Sequence, residues 1–538
     1  MLLKYKTNIL ILYCLMLTAC GGGDIDFTPH VSTPYNLQIT SVSVNSIGLA
    51  WEYNGPADIT QSFYIYKNGT NVASSSATFA TLSGLLPNTQ YCIYVTSKNI
   101  WYESSPSNTR CATTEVDTSV PYTFNANLVA RLTPTGDANI RWNQYFDNVD
   151  VVGYKIYRND IYLTSVTDTT MTDSSLIPGN EYCYYIVAYD ITGNESIPTN
   201  VSCIDTSWHV ADVDSNFEVT SLMSIGTDST AAVHIVFNDR NSGYLRYTNN
   251  KGGTWSFTDI DYIAGGDYKY NSLGIDSNDD VHIAYYDQIN GVLKYATNKS
   301  GTWVISQIDS ETVSGRYVSL VLDNNNYAHI SYYTNGILNY LTNVTGSWIK
   351  QTLDNTPGHT MSSIGVSPNG HVHIAYADFI NKHIVYMTNM SGSWVKTELT
   401  TVTGNIPGYQ SVLAVDQNDK VHLCYIDGYY LKYLTNKSGA WVSEDTGSSA
   451  QGSCSIALSA NGNVHIGHQI NYSRTINQVS YSLFELTYTT NKDASWKSYV
   501  LDDSVSGWYS ELAVDKNGAI HIVNMKQYDY ALRYATNQ

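Results

Sequence analysis

The chain has 538 residues, of which 43% are hydrophobic and 14% are charged, and it contains 46 tyrosines. That composition is typical of folded domains rich in strands and turns, and it argues against intrinsic disorder. The formal net charge of −19 argues against a nucleic-acid partner, because phosphate binding requires clustered lysine and arginine.

The start of the chain reads as a targeting segment. A basic start precedes an apolar run over residues 9–17, and Leu17-Thr18-Ala19-Cys20 follows. Small residues before a cysteine, directly after an apolar run, resemble the lipobox of bacterial lipoproteins. The resemblance implies a signal peptide over residues 1–19, a diacylglycerol on Cys20 and a flexible tether over residues 20–33. Because glycine and not aspartate follows Cys20, it also implies lipid anchoring in the bacterial outer membrane, at its periplasmic face or the cell surface. An ordinary secretion signal is the alternative.

Residues 34–115 and 119–206 carry short alternating runs between turn signals, a pattern typical of β-sandwiches. Each stretch places a tryptophan, Trp51 or Trp142, in its predicted second strand. The later motifs are Leu85-x-Pro87-x-Thr89-x-Tyr91 and Leu176-x-Pro178-x-Asn180-x-Tyr182. These features resemble fibronectin type III domains, including the tyrosine corner of that family. The resemblance implies two spacer modules that hold the rest of the chain away from the membrane.

Six cysteines follow Cys20, and export makes disulfides possible. Two pairs have matching spacing in the two modules, which predicts that each pair joins neighbouring final strands. The two cysteines that remain form a weaker third pair. No CxxC motif is present, so metal ligation is a poor alternative. The predicted pairs are Cys92–Cys111, Cys183–Cys203 and Cys424–Cys454.

Residues 207–538 consist of repeats of roughly 43 to 56 residues, each with four predicted strands and polar turns. One such unit has the size of one β-propeller blade. A tryptophan and a histidine recur once in each repeat. The recurring residues are Trp208, Trp255, Trp303, Trp348, Trp394, Trp441 and Trp496, with His234, His282, His329, His373, His422, His465 and His521.

The first and last repeats are incomplete, and they complement each other. The chain ends on a predicted third strand around Tyr534, and the missing fourth strand lies at the start, around Trp208. Pairing these two segments would remove the free sheet edges of an open array. The sequence therefore predicts an all-β chain with two sandwiches and a seven-bladed β-propeller, closed by an N-terminal outer strand.

A turn motif gives a second resemblance. Thr248-x-Asn250-x-Gly252-x-Thr254-Trp255 is similar to the Asp-box of sialidase-type propellers, with asparagine in place of aspartate. This motif lies between the third and fourth strands of a blade, which agrees with the predicted strand order. The resemblance implies a fold family and not an activity.

The recurring histidines and the acidic turns invite a metal site. One histidine per repeat, tens of residues apart, indicates a structural role, because a metal site needs several ligands at one place. The turns such as Asp276-x-Asn278-x-Asp280 are similar to calcium loops but lack the later glutamate. Side-chain capping of the turns is therefore the favoured interpretation, and the sequence predicts no metal and no cofactor.

The loops between the second and third strands, and those that lead into each first strand, differ from repeat to repeat. Variable loops on a rigid scaffold usually carry function, so we expect a ligand on this face. The aspartates on this face either cap turns or accept hydrogen bonds from sugar hydroxyls. The arginines either lie scattered or form a carboxylate-binding triad. The aromatic residues could stack on sugar rings. The candidates are Asp239, Asp287, Asp378 and Asp427; Arg240, Arg316 and Arg474; and Tyr268, Tyr270, Tyr409, Trp508 and Tyr509.

Two functions remain open from the sequence. The first is a non-enzymatic surface binding or scaffold protein that recognises glycan or another protein through the variable face. The second is a carbohydrate-active enzyme on the same propeller, either a sialidase-like hydrolase or a polysaccharide lyase. A purely structural subunit of a surface assembly is a third option. No segment resembles the Arg-Ile-Pro stretch of sialidases, and the sequence predicts no catalytic residue.

Overall fold

The structure is a computed structural model, and it describes residues 31–55, 62–133, 135–214, 217–264, 270–311, 314–355, 359–378, 380–402, 411–476, 479–502, 506–526 and 530–538. All secondary-structure elements in these residues are β-strands, so the prediction of an all-β chain is confirmed. No helix of the described part is long and apolar enough to cross a membrane. The predicted signal peptide, Cys20 and most of the predicted tether lie outside the described residues.

The first sandwich packs two antiparallel sheets around Trp51. One sheet has the order β1-β2-β5 and the other the order β4-β3-β6-β7. The ring of Trp51 meets the edge of Phe63 at 5.3 Å between centroids, inside an apolar core. The strands are β1 Tyr35–Val42, β2 Ile47–Glu52, β3 Ser62–Lys67, β4 Thr70–Ser75, β5 Phe79–Leu82, β6 Gln90–Lys98 and β7 Arg110–Thr113.

The second sandwich repeats this arrangement around Trp142. Its sheets have the orders β12-β9-β8 and β11-β10-β13-β14. Trp142 meets Tyr154 edge-on at 5.4 Å. The strands are β8 Leu128–Leu132, β9 Ala138–Trp142, β10 Val151–Arg158, β11 Ile161–Val166, β12 Thr170–Asp173, β13 Glu181–Asp190 and β14 Ser202–Asp205.

Both sandwiches contain the predicted tyrosine corner. The hydroxyl of Tyr91 accepts a hydrogen bond from the backbone N–H of Leu86 at 3.0 Å. The hydroxyl of Tyr182 accepts one from the backbone N–H of Ile177 at 2.9 Å. Each bond ties the loop before the long strand, β6 or β13, to that strand.

All three predicted disulfides are confirmed. The pairs in the sandwiches join residues that lie directly opposite each other on neighbouring strands. The third pair joins strands of two successive sheets in the repeat region, where both cysteines are buried. The bonds are Cys92–Cys111, Cys183–Cys203 and Cys424–Cys454.

The remaining strands form four-stranded antiparallel sheets that follow one another along the chain. In almost every sheet the second strand is buried on both faces. It consists mainly of β-branched and aromatic residues on either side of the recurring histidine. The sheets are β16 Val219–Thr227, β17 Val233–Asp239, β18 Tyr244–Asn249 and β19 Ser256–Tyr262; β20 Asn271–Ile275, β21 Val281–Asp287, β22 Val292–Thr297 and β23 Val304–Asp309; β24 Ser314–Leu322, β25 Ala328–Thr334, β26 Ile337–Thr342 and β27 Ile349–Asp354; β28 His359–Val366, β29 Val372–Asp378, β30 His383–Thr388 and β31 Val395–Thr401; β32 Val412–Val415, β33 Val421–Asp427, β34 Tyr430–Thr435 and β35 Val442–Ser449; β36 Cys454–Leu458, β37 Val464–Ile476, β38 Val479–Thr490 and β39 Lys497–Asp502; and β15 His209–Asp214 with β40 Ser506–Val514, β41 Ile520–Lys526 and β42 Leu532–Thr536.

The sheet that contains β15 combines strands from both ends of the repeat region. β15 pairs antiparallel with β42, and Ala211 lies opposite Tyr534. This is the strand pairing that the incomplete first and last repeats predict. The strand order β15-β42-β41-β40 matches the order of the other four-stranded sheets, read from the fourth strand to the first.

Contacts between successive sheets follow one rule. The first strands contact one another in chain order, from β16 through β20, β24, β28, β32 and β36 to β40, and β40 also contacts β16. In addition, a tryptophan of each sheet lies edge-on or tilted against a tyrosine of another sheet, at 5.0 to 5.3 Å between centroids. The pairs are Tyr247–Trp303, Tyr295–Trp348, Tyr340–Trp394, Tyr386–Trp441, Tyr433–Trp496, Tyr488–Trp208 and Tyr534–Trp255.

The second sandwich joins the repeat region through paired strands. β14 runs parallel to β39, so the sandwich sheet and the β36–β39 sheet form one continuous sheet. Glu181 accepts hydrogen bonds from Lys497 Nζ at 2.9 Å and from the hydroxyl of Tyr499. Arg131 and Glu485 form a buried ion pair nearby. This joint rests on pairing and buried charge and not on a flexible linker.

Candidate functional site

Each repeat carries a buried polar network near the turn between its first and second strands. In the β20–β21 hairpin, the hydroxyl of Tyr295 bonds to Nδ1 of His282, whose Nε2 lies 3.3 Å from Oδ2 of Asp276. A carboxylate cannot donate, so Nε2 carries the proton and Nδ1 accepts from the tyrosine. Burial lowers the pKa of His282, and the ring is therefore neutral at pH 7.

The histidine–tyrosine bond recurs in the other repeats, and burial lowers the pKa of each of these histidines. Each histidine has partners within its own sheet, which fits the structural role that the sequence predicts. The bonds join His234 to Tyr247, His329 to Tyr340, His373 to Tyr386, His422 to Tyr433, His465 to Tyr488 and His521 to Tyr534.

The acidic turns use their carboxylates on their own backbone. Oδ1 of Asp276 accepts hydrogen bonds from the backbone N–H groups of Asn278 at 2.8 Å and Asp280 at 3.0 Å. Asp228, Asp323, Asp416 and Asp515 do the same in other repeats. This is the turn-capping chemistry favoured by the sequence.

The candidate aspartates at the ends of the second strands hold the next turn. Oδ1 of Asp287 accepts from the backbone N–H of Ile289 at 2.9 Å, and Oδ2 accepts from Asn290 Nδ2 at 2.6 Å and Lys294 Nζ at 2.8 Å. Burial works to raise the pKa of Asp287, but these hydrogen bonds hold it below its usual range. Asp239 and Asp378 bond to their turns in the same way, and Asp427 ends β33 in a partly exposed position. Turn capping therefore occupies oxygens that a sugar would need.

The candidate arginines occupy different strands and turns. The guanidinium of Arg240 lies over the ring of Tyr530, 5.2 Å from its centroid. The backbone of Arg316 lies in β24, and that of Arg474 lies in the long β37–β38 hairpin. The side chains of Arg316 and Arg474 are outside the described residues, so both alternatives, scattered arginines and a carboxylate-binding triad, stay open.

The candidate aromatic residues divide in the same way. Tyr268, Tyr409 and the side chain of Trp508 lie outside the described residues. Tyr509 is partly exposed on β40. Tyr270 directly precedes β20 and is 9% exposed.

Tyr270 lines a cavity of about 120 Å³ between the first strands of the sheets. One part of its lining is apolar or aromatic, and the other part is polar. Asn271 contributes an amide, and several serines contribute hydroxyls. The remaining lining side chains include Leu222, Met223, Tyr317, Val318, Met361, Val412 and Glu511.

Tyr317 has an unusual conformation at this cavity. Its φ is 53°, in the left-handed region that bulky residues rarely occupy, at a cost of ~1–3 kcal/mol. Its ring lies 4.4 Å from that of Tyr270 and 6.0 Å from that of Tyr333. The strand register also shifts here, between Arg316 and Ser319. Strain of this kind collects at functional sites, so it marks the cavity as a candidate site.

Sequence reasoning missed Tyr317, Glu511 and the cavity serines. A signal exists for Glu511 and the serines, because one repeat position holds serine in most first strands and glutamate in β40. Burial raises the pKa of Glu511 to about 8. Aligning the repeats by the histidine of the second strand would have found this position.

One group of carboxylates in the described residues could approach a cation. Ligand atoms of Asp117, Asp147 and Asp190 lie within 4.8 Å of one another. Asn194 Nδ2 already donates to Asp117 and Asp190, at 3.2 and 2.9 Å. Burial raises the pKa of Asp147, and repulsion from the carboxylates of Asp117 and Asp190 raises it further.

A larger polar cleft of about 700 Å³ lies at the joint of the second sandwich with the β36–β39 sheet. Its lining includes the Arg131–Glu485 pair and five asparagines, which are Asn125, Asn127, Asn143, Asn200 and Asn471. Its described lining has one aromatic residue, Trp142, which is buried in the sandwich core. The cavity at Tyr270 and Tyr317 is therefore the better site for a ligand with a ring.

Comparisons with known proteins bear mainly on the sandwiches. Chitinase A1 of Niallia circulans is 33% identical over 186 residues, which is 34% of this chain and 26% of that protein. The chain thus spans about a quarter of that relative. Such relatives are chitinases and other glycosidases with fibronectin type III domains.

Two solved structures are similar at low identity. AofleA of Arthrobotrys oligospora is 13% identical with a TM-score of 0.41, covering 55% of this chain and 90% of its own. The Aleuria aurantia lectin is 13% identical with a TM-score of 0.39, covering 53% and 98%. Scores of this size carry no inference about the ligand. The fibronectin type III domain family matches residues 32–111, and the first sandwich is therefore a fibronectin type III domain.

Proposed function

We propose that this chain is a non-enzymatic glycan-binding lipoprotein of the bacterial outer membrane, anchored by a lipid on Cys20. In this proposal its repeat region is a closed seven-bladed propeller of the sialidase type, and a glycan binds in the cavity at Tyr270 and Tyr317. The lipobox-like sequence before Cys20 supports the anchor.

Contacts between the sheets support the closed ring. The pairing of β15 with β42 completes the last sheet from the other end of the region. The contact of β40 with β16 and the Trp255–Tyr534 contact continue, between the last and first sheets, the rule that the other sheets follow. Closure matters for binding, because it fixes the first strands around one central space.

The composition of the cavity is the observation that carries the glycan. Sugars present apolar C–H faces and hydroxyl edges, and proteins meet them with aromatic rings and polar side chains. The cavity offers two tyrosine rings, an asparagine and a carboxyl group within one small volume. The fibronectin-type modules also have relatives among chitinases, which supports a carbohydrate context.

The same cavity argues against hydrolysis. Glycosidases in general need a pair of carboxylates that flank the bond to be cleaved. Glu511 is the one carboxyl group among the described residues that line the cavity. Binding without cleavage is the chemistry that this set of side chains supports.

The test is glycan binding by the full chain, compared with one cavity variant and one matched variant. Tyr317→Asn removes the ring while it keeps a residue that tolerates a positive φ. Tyr429→Asn makes the same change at an exposed turn residue of the β33–β34 hairpin, outside the cavity. Binding is screened on a glycan array and quantified by calorimetry.

We expect Tyr317→Asn to weaken the binding of the selected glycan by roughly tenfold, equal to about 1.4 kcal/mol, with Tyr429→Asn within twofold of the parent. Equal loss in both variants, or no glycan bound by the parent chain, would contradict the proposal.

A further inference from the structure

One repeat position on the first strands lines the cavity in every sheet except the one that contains Ser455. It lies opposite the residue two places after the recurring histidine on the second strand. In the β20 strand, for example, Ser272 pairs with Ala284 while Gly274 pairs with His282. The residues at this position are Ser224, Ser272, Ser319, Ser363, Val412, Ser455 and Glu511.

Four of these serines are used to bind neighbouring sheets. The hydroxyl of Ser272 accepts a hydrogen bond from the backbone N–H of Leu320 at 2.9 Å. Ser224, Ser319 and Ser363 accept from the first strand of the next sheet in the same way. Their hydroxyls therefore act between sheets, with one acceptor site of each oxygen occupied by that bond.

Glu511 breaks this pattern. Its carboxyl group makes no hydrogen bond or ion pair with the described residues, although it lines the cavity. The described lining also contains no lysine, arginine or histidine. Among the described residues such a carboxylate has no countercharge, and a ligand that supplies one gains by pairing with it.

We infer that this cavity selects a sugar that carries a protonated amine, with the carboxylate of Glu511 as the partner of the ammonium group. The inference rests on the proposed glycan site and names its ligand class. The Tyr270 and Tyr317 rings reinforce the choice, because aromatic faces attract cations.

Burial raises the pKa of Glu511 to about 8, so the carboxyl group is largely protonated in the empty cavity at neutral pH. An ammonium group in contact favours the ionised form and lowers that pKa. Binding of the amine therefore brings about the ionisation that it needs.

The test uses two trisaccharides with the same β-1,4 backbone, the tri-glucosamine and its fully N-acetylated counterpart, each titrated calorimetrically into the full chain at pH 6.5. Glu511→Gln keeps the shape of the side chain and removes the charge. Glu398→Gln removes one carboxylate from the exposed face of β31 and controls for the acidic surface.

We expect the parent chain to bind the tri-glucosamine at least tenfold more tightly than the acetylated sugar. Glu511→Gln should abolish that preference while it keeps the melting temperature at or above that of the parent, and Glu398→Gln should leave the preference within twofold. Equal binding of the two sugars, or a preference that survives Glu511→Gln, overturns the inference and leaves the proposed glycan site intact. Binding of no glycan at all overturns the proposed function and the inference with it.

Discussion

The first strand of each repeat has two different ends. At the turn that leads into the second strand, the repeats carry the same histidine and tyrosine, and five of them carry an aspartate that caps the turn. At the cavity, corresponding positions differ, with Tyr270 and Tyr317 in two repeats and Glu511 in one. At the uniform end every recurring histidine bonds to a tyrosine of its own sheet, whereas the cavity end holds a carboxyl group with no partner among the described residues and a tyrosine with a positive φ. The difference assigns folding to one end and recognition to the other.

The two ends should respond to pH with opposite signs, and the larger effect belongs to the uniform end. Burial lowers the pKa of His465 to about 4 from its ordinary value of 6.5. The unfolded chain therefore binds the proton first as the pH falls, and stability present above pH 6.5 is lost towards pH 4. The shift corresponds to about 3 kcal/mol.

The measurement is urea unfolding of the parent and of His465→Gln at pH 7 and pH 4. We expect the stability advantage of the parent to shrink by about 3 kcal/mol between these values. Asn491→Ala is the control, because it cuts the hydrogen bond to the backbone N–H of Val464 in the same sheet without removing a titrating group. Its cost should be the same at both pH values. A pH-independent effect of His465→Gln would show that this end does not depend on a neutral histidine.

Glu511 should give the opposite sign. Its pKa shift would by itself penalise folding by about 4 kcal/mol at pH 8. The side chain is partly exposed, however, and solvent screening leaves a smaller effect than that of His465. In the unfolded chain this carboxyl group ionises near 4.5, and in the folded chain near 8. Folding is therefore penalised progressively as the pH rises from 4.5 to 8. We expect Glu511→Gln to stabilise the chain by about 1–2 kcal/mol at pH 8, where desolvation of the charge is relieved.

That gain should disappear at pH 4.5, where the parent also carries a neutral side chain. Thermal melts of the two chains across this range provide the measurement. If Glu511→Gln destabilises the chain at pH 8, the carboxylate has a partner that compensates its charge, and the contrast between the two ends fails.

The uniform end was accessible from the sequence because repetition averages out local ambiguity. A histidine found once in every repeat indicates a structural role. The incomplete repeats at both ends predict that the segment around Trp208 pairs with the strand around Tyr534, and β15 does pair with β42. The two matched cysteine spacings and the tyrosine corners follow from local patterns of the same kind.

The cavity end was harder to predict for a physical reason. Its features are departures from the repeat, and a departure looks like noise until the strand register is known. Nothing in the identity of Tyr317 indicates a positive φ, because glycine and asparagine are the usual residues there. The joint at Arg131 and Glu485 was equally hidden, because the two residues are distant in sequence and lie in differently patterned domains.

The smallest expected effect distinguishes the cavity residues that repeat, such as Ser272, from Glu511, which does not. Ser272→Ala leaves the backbone N–H of Leu320 without its acceptor, and we expect a loss of about 1 kcal/mol in the free energy of unfolding. Glycan affinity should stay within twofold, because the hydroxyl serves the neighbouring sheet. Urea unfolding and calorimetric titration of the same preparation give both quantities. A variant that keeps its stability and loses glycan affinity tenfold would place the serine hydroxyls in the binding site, and recognition would then depend on the residues that repeat rather than on Glu511, which does not.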